Sequence, residues 1–344
     1  MVNIDQLVRP NIRQLKPYSS ARDEFKGHAS VWLDANENPF NSGLNRYPDP
    51  RQQKLKTILA EQKGISPDQI FLGNGSDEPI DLLFRAFCEP NQDQVLIFPP
   101  TYGMYEVSAN INAIDIQEQP LTSDFQIDLE AVLPRLNNPL IKMIFICTPN
   151  NPTGNSIDAS AIEAIASVFN GIIVIDEAYA DFSEAPSWIN SIQQHPNIVV
   201  LQTFSKARGL AGIRLGMAYS SPEVIAVLNK IKPPYNISTL TQTEALSQLE
   251  EPEALEPVID EIVREREWLA EQLSTLKMVK EVYPSDANFL LVAFDNPKQL
   301  FATLVENGII LRDRTSAVPN TLRITVGTAE ENHKLINLLK EMEA

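Results

Sequence analysis

The chain has 344 residues and a formal net charge of −17, with 45 Asp and Glu residues against 28 Lys and Arg residues. Its length predicts two domains or one large domain, and a hydrophobic fraction of 43% is ordinary for a globular protein. The acidic balance excludes an overall electrostatic footprint for nucleic acid or for an anionic membrane, so we expect neither as a partner.

Cysteine content and hydropathy indicate a reduced, cytoplasmic setting. The chain has 2 cysteines, Cys88 and Cys147, which cannot build a disulfide framework. Residues 1–10 contain charges and no apolar run, so no signal peptide is predicted. No apolar stretch approaches the ~18 residues that a membrane span requires. The histidines lack metal-ligand spacing, so we expect no metal site.

Residues 1–30 show no strong periodicity and are interpreted as an arm that packs against the smaller domain and the substrate site. Apolar runs then alternate with helical patterns such as 158–169. The predicted strands are Gln69–Leu72, Gln94–Phe98, Lys142–Cys147, Ile172–Ile175, Ile198–Gln202 and Gly216–Tyr219. Continuously apolar strands separated by helices favour an α/β fold with a mostly parallel sheet covered on both faces. Such sheets bind ligands at the carboxyl ends of their strands.

The sequence changes character after Pro233 and Pro234. A long amphipathic helix is predicted at 253–276. A strand, a helix, two strands and a helix follow, predicted at 289–293, 297–307, 309–311, 322–326 and from 330 onward. This order predicts a smaller α+β domain. The expected organisation is therefore an arm at 1–30, a large domain at 31–235 and a small domain at 236–344.

Lys206 follows a predicted strand in the segment 203–206 (TFSK), eight residues before Arg214. A lysine beside a buried strand and flanked by small residues loses hydration, which lowers its pKa and favours the neutral amine. A neutral amine forms a Schiff base with an aldehyde. Taken alone, such a lysine is more often a surface residue in a glycine-rich loop.

Asp176 ends the apolar run at 172–176 (IIVID) and so lies at the edge of the predicted sheet. A carboxylate there can hold a pyridine nitrogen protonated, which makes the ring an electron sink. Tyr179 follows closely and can donate to a ring oxygen. The alternatives for Asp176 are a helix cap or a Mg²⁺ ligand, but the chain contains no Walker A motif.

Three further segments follow predicted strands. Residues 147–154 (CTPNNPTG) hold Asn151 in a proline-flanked turn, a type of turn that is common in itself. Residues 73–79 (GNGSDEP) are typical of an anion site at a helix N-terminus, or simply of a well-capped helix. Tyr102, in 99–102 (PPTY), is positioned either to stack on a flat cofactor or to pack in the core.

Together and in this order, the motifs resemble those of the pyridoxal-phosphate-dependent aminotransferases of fold type I, over nearly the whole chain. The resemblance implies the cofactor pyridoxal 5′-phosphate (PLP), with Lys206 forming the Schiff base and later moving a proton between Cα and C4′. It implies that Asp176 pairs with the pyridinium nitrogen, that Asn151 and Tyr179 hold the ring oxygen, and that Tyr102 stacks on the ring. The implied contacts with the cofactor phosphate are the backbone N–H groups of Gly75, Ser76 and Asp77, together with Ser205 and Arg214.

Several segments narrow the resemblance to the histidinol-phosphate aminotransferases. They are 12–18 (IRQLKPY), 33–39 (LDANENP), 45–50 (NRYPDP) and 311–314 (LRDR). The resemblance implies a homodimer with shared sites, in which Tyr47 reaches the cofactor phosphate of the neighbouring subunit. It implies a substrate site made by Arg323, which would bind the carboxylate through its bidentate guanidinium, and by Tyr18, Arg22, Asn36 and Asn151.

The implied reaction is a ping-pong amino transfer in histidine biosynthesis. L-Glutamate leaves as 2-oxoglutarate, and imidazole-acetol phosphate becomes L-histidinol phosphate. The alternatives within the fold are an aromatic-amino-acid aminotransferase and a phosphothreonine decarboxylase. A cofactor-sensing regulator would need a DNA-binding domain, and a nicotinamide-dependent oxidoreductase would need a third glycine where Glu78 stands. Arg208 departs from the family pattern, and the sequence leaves its role open.

Overall fold

The computed structural model describes residues 2–18, 25, 27 and 29–343. These residues form two β-sheets with the helices that pack against them. The first sheet contains β1 (Ile70–Asn74), β2 (Gln94–Ile97), β3 (Asp115–Glu118), β4 (Ile141–Cys147), β5 (Ile172–Asp176), β6 (Ile198–Thr203) and β7 (Leu215–Tyr219). The order across the sheet is β1-β7-β6-β5-β4-β2-β3. Only β7 runs antiparallel to its neighbours in this sheet. The predicted α/β fold with a mostly parallel sheet is confirmed.

Helices cover both faces of this sheet. They are α1 (Ile4–Leu7), α2 (Pro10–Gln14), α3 (Gln53–Lys63), α4 (Asp77–Phe87), α5 (Met104–Ile111), α6 (Leu129–Arg135), α7 (Ala159–Val168), α8 (Pro222–Ile231) and α9 (Thr239–Leu249). Ile173 and Ile175 of β5 belong to the core layer that includes α3, α7 and α9, whereas Ile172 and Val174 belong to the layer that includes α4, α5 and α8. Burial on both faces explains why β5 is apolar up to its last residue.

The second sheet is antiparallel and contains β8 (Val279–Val282), β9 (Phe289–Phe294), β10 (Arg312–Asp313) and β11 (Thr321–Thr325), in the order β10-β11-β9-β8. It shares a core with α10 (Leu255–Ser274), α11 (Pro297–Glu306) and α12 (Ala329–Glu343). From β9 onward, this arrangement confirms the predicted order of a strand, a helix, two strands and a helix. Among the described residues, no helix is both long and apolar enough to cross a membrane.

Some predicted details were wrong. The strand predicted at 309–311 lies at Arg312–Asp313, because Ile309 ends the turn after α11 and donates its N–H to the carbonyl of Leu304 at 2.8 Å. The edge strands β3 and β8 were not predicted. Their sequences, DIQE and VKEV, mix polar with apolar residues because an edge strand is only partly buried.

Residues of the predicted arm between 2 and 18 pack on the first sheet's layer of helices. Ile4 and Val8 are buried in the same core layer as α4 and α8, and Arg9 forms an ion pair with Glu89 at 3.1 Å. Past the boundary predicted at residue 235, Ala245 and Leu249 pack in the other core layer of the first sheet. The boundary itself stays a prediction.

Candidate active site

Six neighbouring strands bring the predicted motifs to one edge of the first sheet. The register pairs Cys147 with Asp176 between β4 and β5, and Thr203 with Gly216 between β6 and β7. Because β7 is antiparallel, Arg214 reaches this edge from the amino end of a strand. A cavity opens there. Its lining residues are Gly75, Ser76, Asp77, Tyr102, Cys147, Asn151, Asp176, Ala178, Tyr179, Thr203, Ser205, Lys206 and Arg214.

The carboxylate of Asp176 forms the floor of this cavity and is only 2% exposed. Its Oδ2 accepts a hydrogen bond from the hydroxyl of Tyr105 at 2.7 Å, and its Oδ1 accepts one from the N–H of Ala178 at 3.1 Å. Burial raises the pKa of Asp176 above its ordinary value, and both hydrogen bonds oppose that shift. The site therefore contains a buried carboxylate that has two donors and remaining acceptor capacity.

Lys206 lies three residues beyond β6, and its Nζ is 5.3 Å from the centre of the Tyr179 ring. Burial lowers the pKa of Lys206, and the positive charge of Arg323 lowers it further. The neutral amine is therefore favoured more than in a solvated lysine, as the sequence predicted.

Asn151, Tyr179 and Arg323 form a hydrogen-bonded group that joins the two sheets. The guanidinium of Arg323, on β11, donates to Oδ1 of Asn151 at 2.6 Å, and Nδ2 of Asn151 donates to the hydroxyl of Tyr179 at 3.5 Å. Arg323 lies over the ring of Phe289 at 5.1 Å, and Tyr179 meets the same ring edge to face. The smaller sheet thus contributes a cation directly beside the cavity.

The start of α4 and the residues before β7 create a cationic end of the cavity. The N–H of Gly75 donates to the carbonyl of Arg214 at 2.8 Å, and Gly75 has a φ of +67°. This φ favours glycine, and a Cβ on Gly75 would lie 2.5 Å from a guanidinium nitrogen of Arg214, so another residue would have to displace the end of that side chain. Arg214 also contacts Ser205 at 3.4 Å and Asp77 at 3.6 Å. A helix N-terminus and a guanidinium together favour an anion.

Tyr102 closes one side of the cavity. Its hydroxyl donates to Oδ1 of Asp77 at 3.2 Å, and its ring meets that of Tyr105 edge to face at 5.5 Å. Burial raises the pKa of Tyr102, so its hydroxyl stays protonated and acts as a donor at neutral pH.

Other predicted site residues do not line this cavity. Tyr47 stacks on Tyr235 at 4.4 Å and lines a separate cavity, together with Asn36. Tyr18 is 70% exposed, and Arg22 lies outside the described residues. Arg208, whose role the sequence left open, is not among the lining residues, and its guanidinium lies 4.9 Å from the centre of the Phe204 ring.

Two further candidate functional residues, Tyr105 and Arg314, were not predicted individually from the sequence. Tyr105 is fully buried and reaches Asp176, and the only sequence signal is its position three residues after Tyr102. Among the described residues, the buried Nε of Arg314 and that of Arg323 have no hydrogen-bond partner, and burial and the charge of Arg323 both lower the pKa of Arg314. Arg314 and Arg323 come close together because β10 pairs with β11. Their spacing in the sequence does not predict this pairing.

This fold and this site define a class, the pyridoxal-phosphate-dependent transferases of fold type I. The family described as Aminotransferase class I and II matches residues 23–339. The chain belongs to this family, and within it to the histidinol-phosphate aminotransferases.

Similar proteins support that grouping. A histidinol-phosphate aminotransferase of Christiangramia forsetii is 54% identical over 99% of this chain and 98% of its own length. The crystal structure of a histidinol-phosphate aminotransferase from Sinorhizobium meliloti in complex with pyridoxal-5′-phosphate has a TM-score of 0.79 at 25% identity, covering 86% of this chain and 82% of that chain. The fold is also that of the Clostridium acetobutylicum histidinol-phosphate aminotransferase, with a TM-score of 0.81 at 24% identity over 88% of this chain and 91% of that chain.

We predict that Asp176→Asn stabilises the protein without cofactor at pH 8. Burial raises the pKa of Asp176, so the folded chain binds its proton more tightly than the unfolded chain does. The free energy of unfolding therefore falls as pH rises through the folded-state pKa, and the ionised carboxylate is a net cost at pH 8. Asparagine does not titrate, so the unfolding midpoint should rise at pH 8 and gain little at low pH.

Glu177→Gln is the matched control, because it also changes a buried carboxylate at the same edge. Burial raises the pKa of Glu177 as well, but three donors occupy its two oxygens, namely Trp188 N–H at 2.7 Å, Ser187 Oγ at 2.6 Å and Gln202 Nε2 at 2.9 Å, against two donors for Asp176. The NH₂ of the glutamine side chain would face one of these donors, which should lower the free energy of unfolding by about 1–3 kcal/mol. Destabilisation by Asp176→Asn at pH 8 as large as that of Glu177→Gln would contradict the prediction.

Proposed function

We propose that the chain is a PLP-dependent histidinol-phosphate aminotransferase, which moves an amino group from L-glutamate to imidazole-acetol phosphate and forms L-histidinol phosphate. The observation that carries this proposal is the convergence on one cavity of a buried carboxylate, a lysine whose pKa is lowered by burial, and the cationic end at Arg214, with the guanidinium of Arg323 beside that cavity. The grouping with histidinol-phosphate aminotransferases over the full chain length supports the substrate assignment.

The donor set of the cavity fits PLP part by part. Asp176 suits a pyridinium nitrogen, because a carboxylate with free acceptor capacity pairs with an N–H⁺. Asn151 and Tyr179 suit the ring oxygen, since both offer polar atoms beside the cavity. The helix start at Gly75, with Arg214, suits a phosphate. When bound, PLP supplies an aldehyde for the amine and a ring that withdraws electrons from the substrate.

Lys206 acts both as the amine that holds the cofactor and as the group that moves a proton. Its lowered pKa keeps Nζ neutral at a lower pH than in a free lysine, so Nζ can accept the proton from the substrate Cα. Protonated Nζ then returns the proton to the acceptor carbon. Tyr179, whose ring lies 5.3 Å from Nζ, restricts where the amine can move.

Arg323 and Arg314 are assigned to the substrate anion. One guanidinium nitrogen of Arg323 is bonded to Asn151, but its Nε has no partner, and neither does Nε of Arg314. Unpaired buried donors favour an anionic ligand that accepts from them. A pair of guanidinium groups serves the carboxylate of glutamate and the phosphate ester of histidinol phosphate in turn, which a ping-pong reaction requires.

A homodimer with shared sites is part of the proposal. Large apolar side chains are exposed around Tyr47, in the segment 31–47 and at the start of α9, and include Val31, Leu33, Phe40, Leu44 and Leu240. Exposed apolar residues in such a cluster mark a protein–protein contact. We assign that contact to a second copy of the chain, with Tyr47 and Asn36 directed to the neighbouring cavity. Two free, buried thiols, Cys88 and Cys147, support a cytoplasmic location.

The substrate assignment predicts the outcome of a spectral half-reaction. L-Histidinol phosphate or L-phenylalanine is added to the PLP-loaded protein without an acceptor, and the change in visible absorbance of the cofactor is followed. We expect histidinol phosphate to react with a kcat/KM at least about 100-fold higher, because its phosphate offers the two arginines more charge and more acceptor oxygens than the carboxylate of phenylalanine does. A preference for phenylalanine would overturn the substrate and leave the aminotransferase assignment intact. Release of CO₂ would indicate a decarboxylase.

Arg323→Lys should slow both half-reactions. A lysine replaces the bidentate fork with a single point charge, so kcat/KM for glutamate and for histidinol phosphate should each fall about 10- to 100-fold. The control is Arg85→Lys, which changes an exposed arginine of α4 that pairs only with Asp81 at 2.8 Å. Wild-type rates for both substrates in Arg323→Lys would refute its role.

Shared sites are tested by mixing two inactive variants. Lys206→Ala lacks the amine, and Tyr47→Ala lacks the proposed contribution to the neighbouring site. A hybrid dimer then has one intact site, so a reassembled equal mixture should regain about a quarter of wild-type turnover. If Tyr47 served its own chain, both sites of the hybrid would be defective. Absence of recovery in hybrids that are shown to form would refute the sharing.

A further inference from the structure

Tyr105 is a fully buried tyrosine of α5 that lies beneath the active site without lining its cavity. Its ring is stacked on Phe145 at 4.6 Å and meets Tyr102 edge to face at 5.5 Å. These contacts fix the ring, so its hydroxyl is aimed at Oδ2 of Asp176 at 2.7 Å. A short bond from a rigid donor determines the rotamer of the acceptor.

The other carboxylate oxygen of Asp176 is held as well, because Oδ1 accepts from the N–H of Ala178 at 3.1 Å. An ionised carboxylate has about four acceptor positions, so two donors leave capacity for a third one in the cavity. Burial works against the ionised form, and Tyr105 is the side chain whose hydrogen bond does most to counter it.

We propose that Tyr105 is a positioning residue for the amino-transfer reaction: its hydroxyl holds the carboxylate of Asp176 ionised and oriented, with an oxygen lone pair facing the cavity. Tyr105 acts through Asp176 and touches neither substrate nor cofactor. The catalytic meaning of this contact rests on the proposed function, because the ionised carboxylate is needed to keep the pyridine nitrogen protonated. The contact itself does not depend on that function.

Other titratable groups also face Asp176, and each contributes to its environment. They are Asp77 at the start of α4, Tyr102, Cys147 at the end of β4, Tyr179 and Lys206. Lys206 favours the ionised form and Asp77 opposes it. A test of Tyr105 must therefore change its hydroxyl and leave these groups in place.

Tyr105→Phe makes that change, and the matched control is Tyr219→Phe. Tyr219, on β7, is also fully buried, but its hydroxyl has no hydrogen-bond partner. The full-length protein without cofactor is titrated, and the infrared C=O band of its protonated carboxyl groups is followed. The component that is absent in Asp176→Asn is assigned to Asp176.

We expect the Asp176 component of Tyr105→Phe to persist to a pH about one unit or more above that of the wild type, because a hydrogen bond to the charged form is lost. Tyr219→Phe should titrate as the wild type does. An unchanged midpoint in Tyr105→Phe, or an equal change in both variants, would refute the proposal. Because no cofactor is present, this result stands whether or not the proposed function is correct.

A second measurement uses the PLP-loaded protein. With ¹⁵N-labelled PLP, the ring nitrogen signal should move towards the neutral pyridine value in Tyr105→Phe and stay unchanged in Tyr219→Phe. If the infrared result holds and this signal does not move, the contact is structural and the reaction role is wrong. If Tyr105→Phe does not fold, 3-fluorotyrosine at position 105 keeps the packing and donates more strongly, so the Asp176 midpoint should move down.

Discussion

The buried carboxylate of Asp176 is the constraint on which the rest of the site depends. A carboxylate that is 2% exposed is stable only if donors surround it. Tyr105 from α5 and the N–H of Ala178 supply two of these donors, and the ordered end of β5 holds the group in place. The oxygens of Asp176 can accept a further hydrogen bond from a group in the cavity. The sheet can offer that capacity because β5 is central and covered on both faces by packed helices.

The protein has a negative net charge, but positively charged side chains lie at and beside the active-site cavity. The net charge of −17 gives no attraction for anionic substrates or for a phosphorylated cofactor. The cations at the cavity are few and individually placed, with Arg214 at the start of β7 and Arg323 on β11. Arg208 is close in sequence to Lys206 but lies over Phe204, so it does not line the cavity. Binding of anions therefore depends on hydrogen-bond geometry at these positions and not on long-range steering.

A contact between the two sheets connects the proposed substrate site to the proposed cofactor site. Arg323 donates to Asn151 at 2.6 Å and lies over the ring of Phe289, which belongs to an apolar group that includes Tyr179, Phe182 and Ala287. The same asparagine reaches Tyr179, which lies beside Lys206. A shift of the smaller sheet would therefore move the cation that we assign to the substrate relative to the lysine amine. In the proposed function, specificity and catalysis therefore depend on the same set of contacts.

The sequence by itself determined the layered α/β fold and the motifs that end its strands, because buried parallel strands are uniformly apolar and the polar residues after them are conspicuous. Lys206, Asp176 and Asn151 were identifiable on that basis. Only the tertiary structure decided which polar groups meet. Tyr105 looks like a packing residue in sequence, and β7 runs antiparallel, so Arg214 arrives from the opposite end of a strand. The orphaned Nε atoms of Arg314 and Arg323 likewise depend on burial. Local patterns encode burial and periodicity, whereas hydrogen-bond partners distant in sequence exist only once the chain has packed.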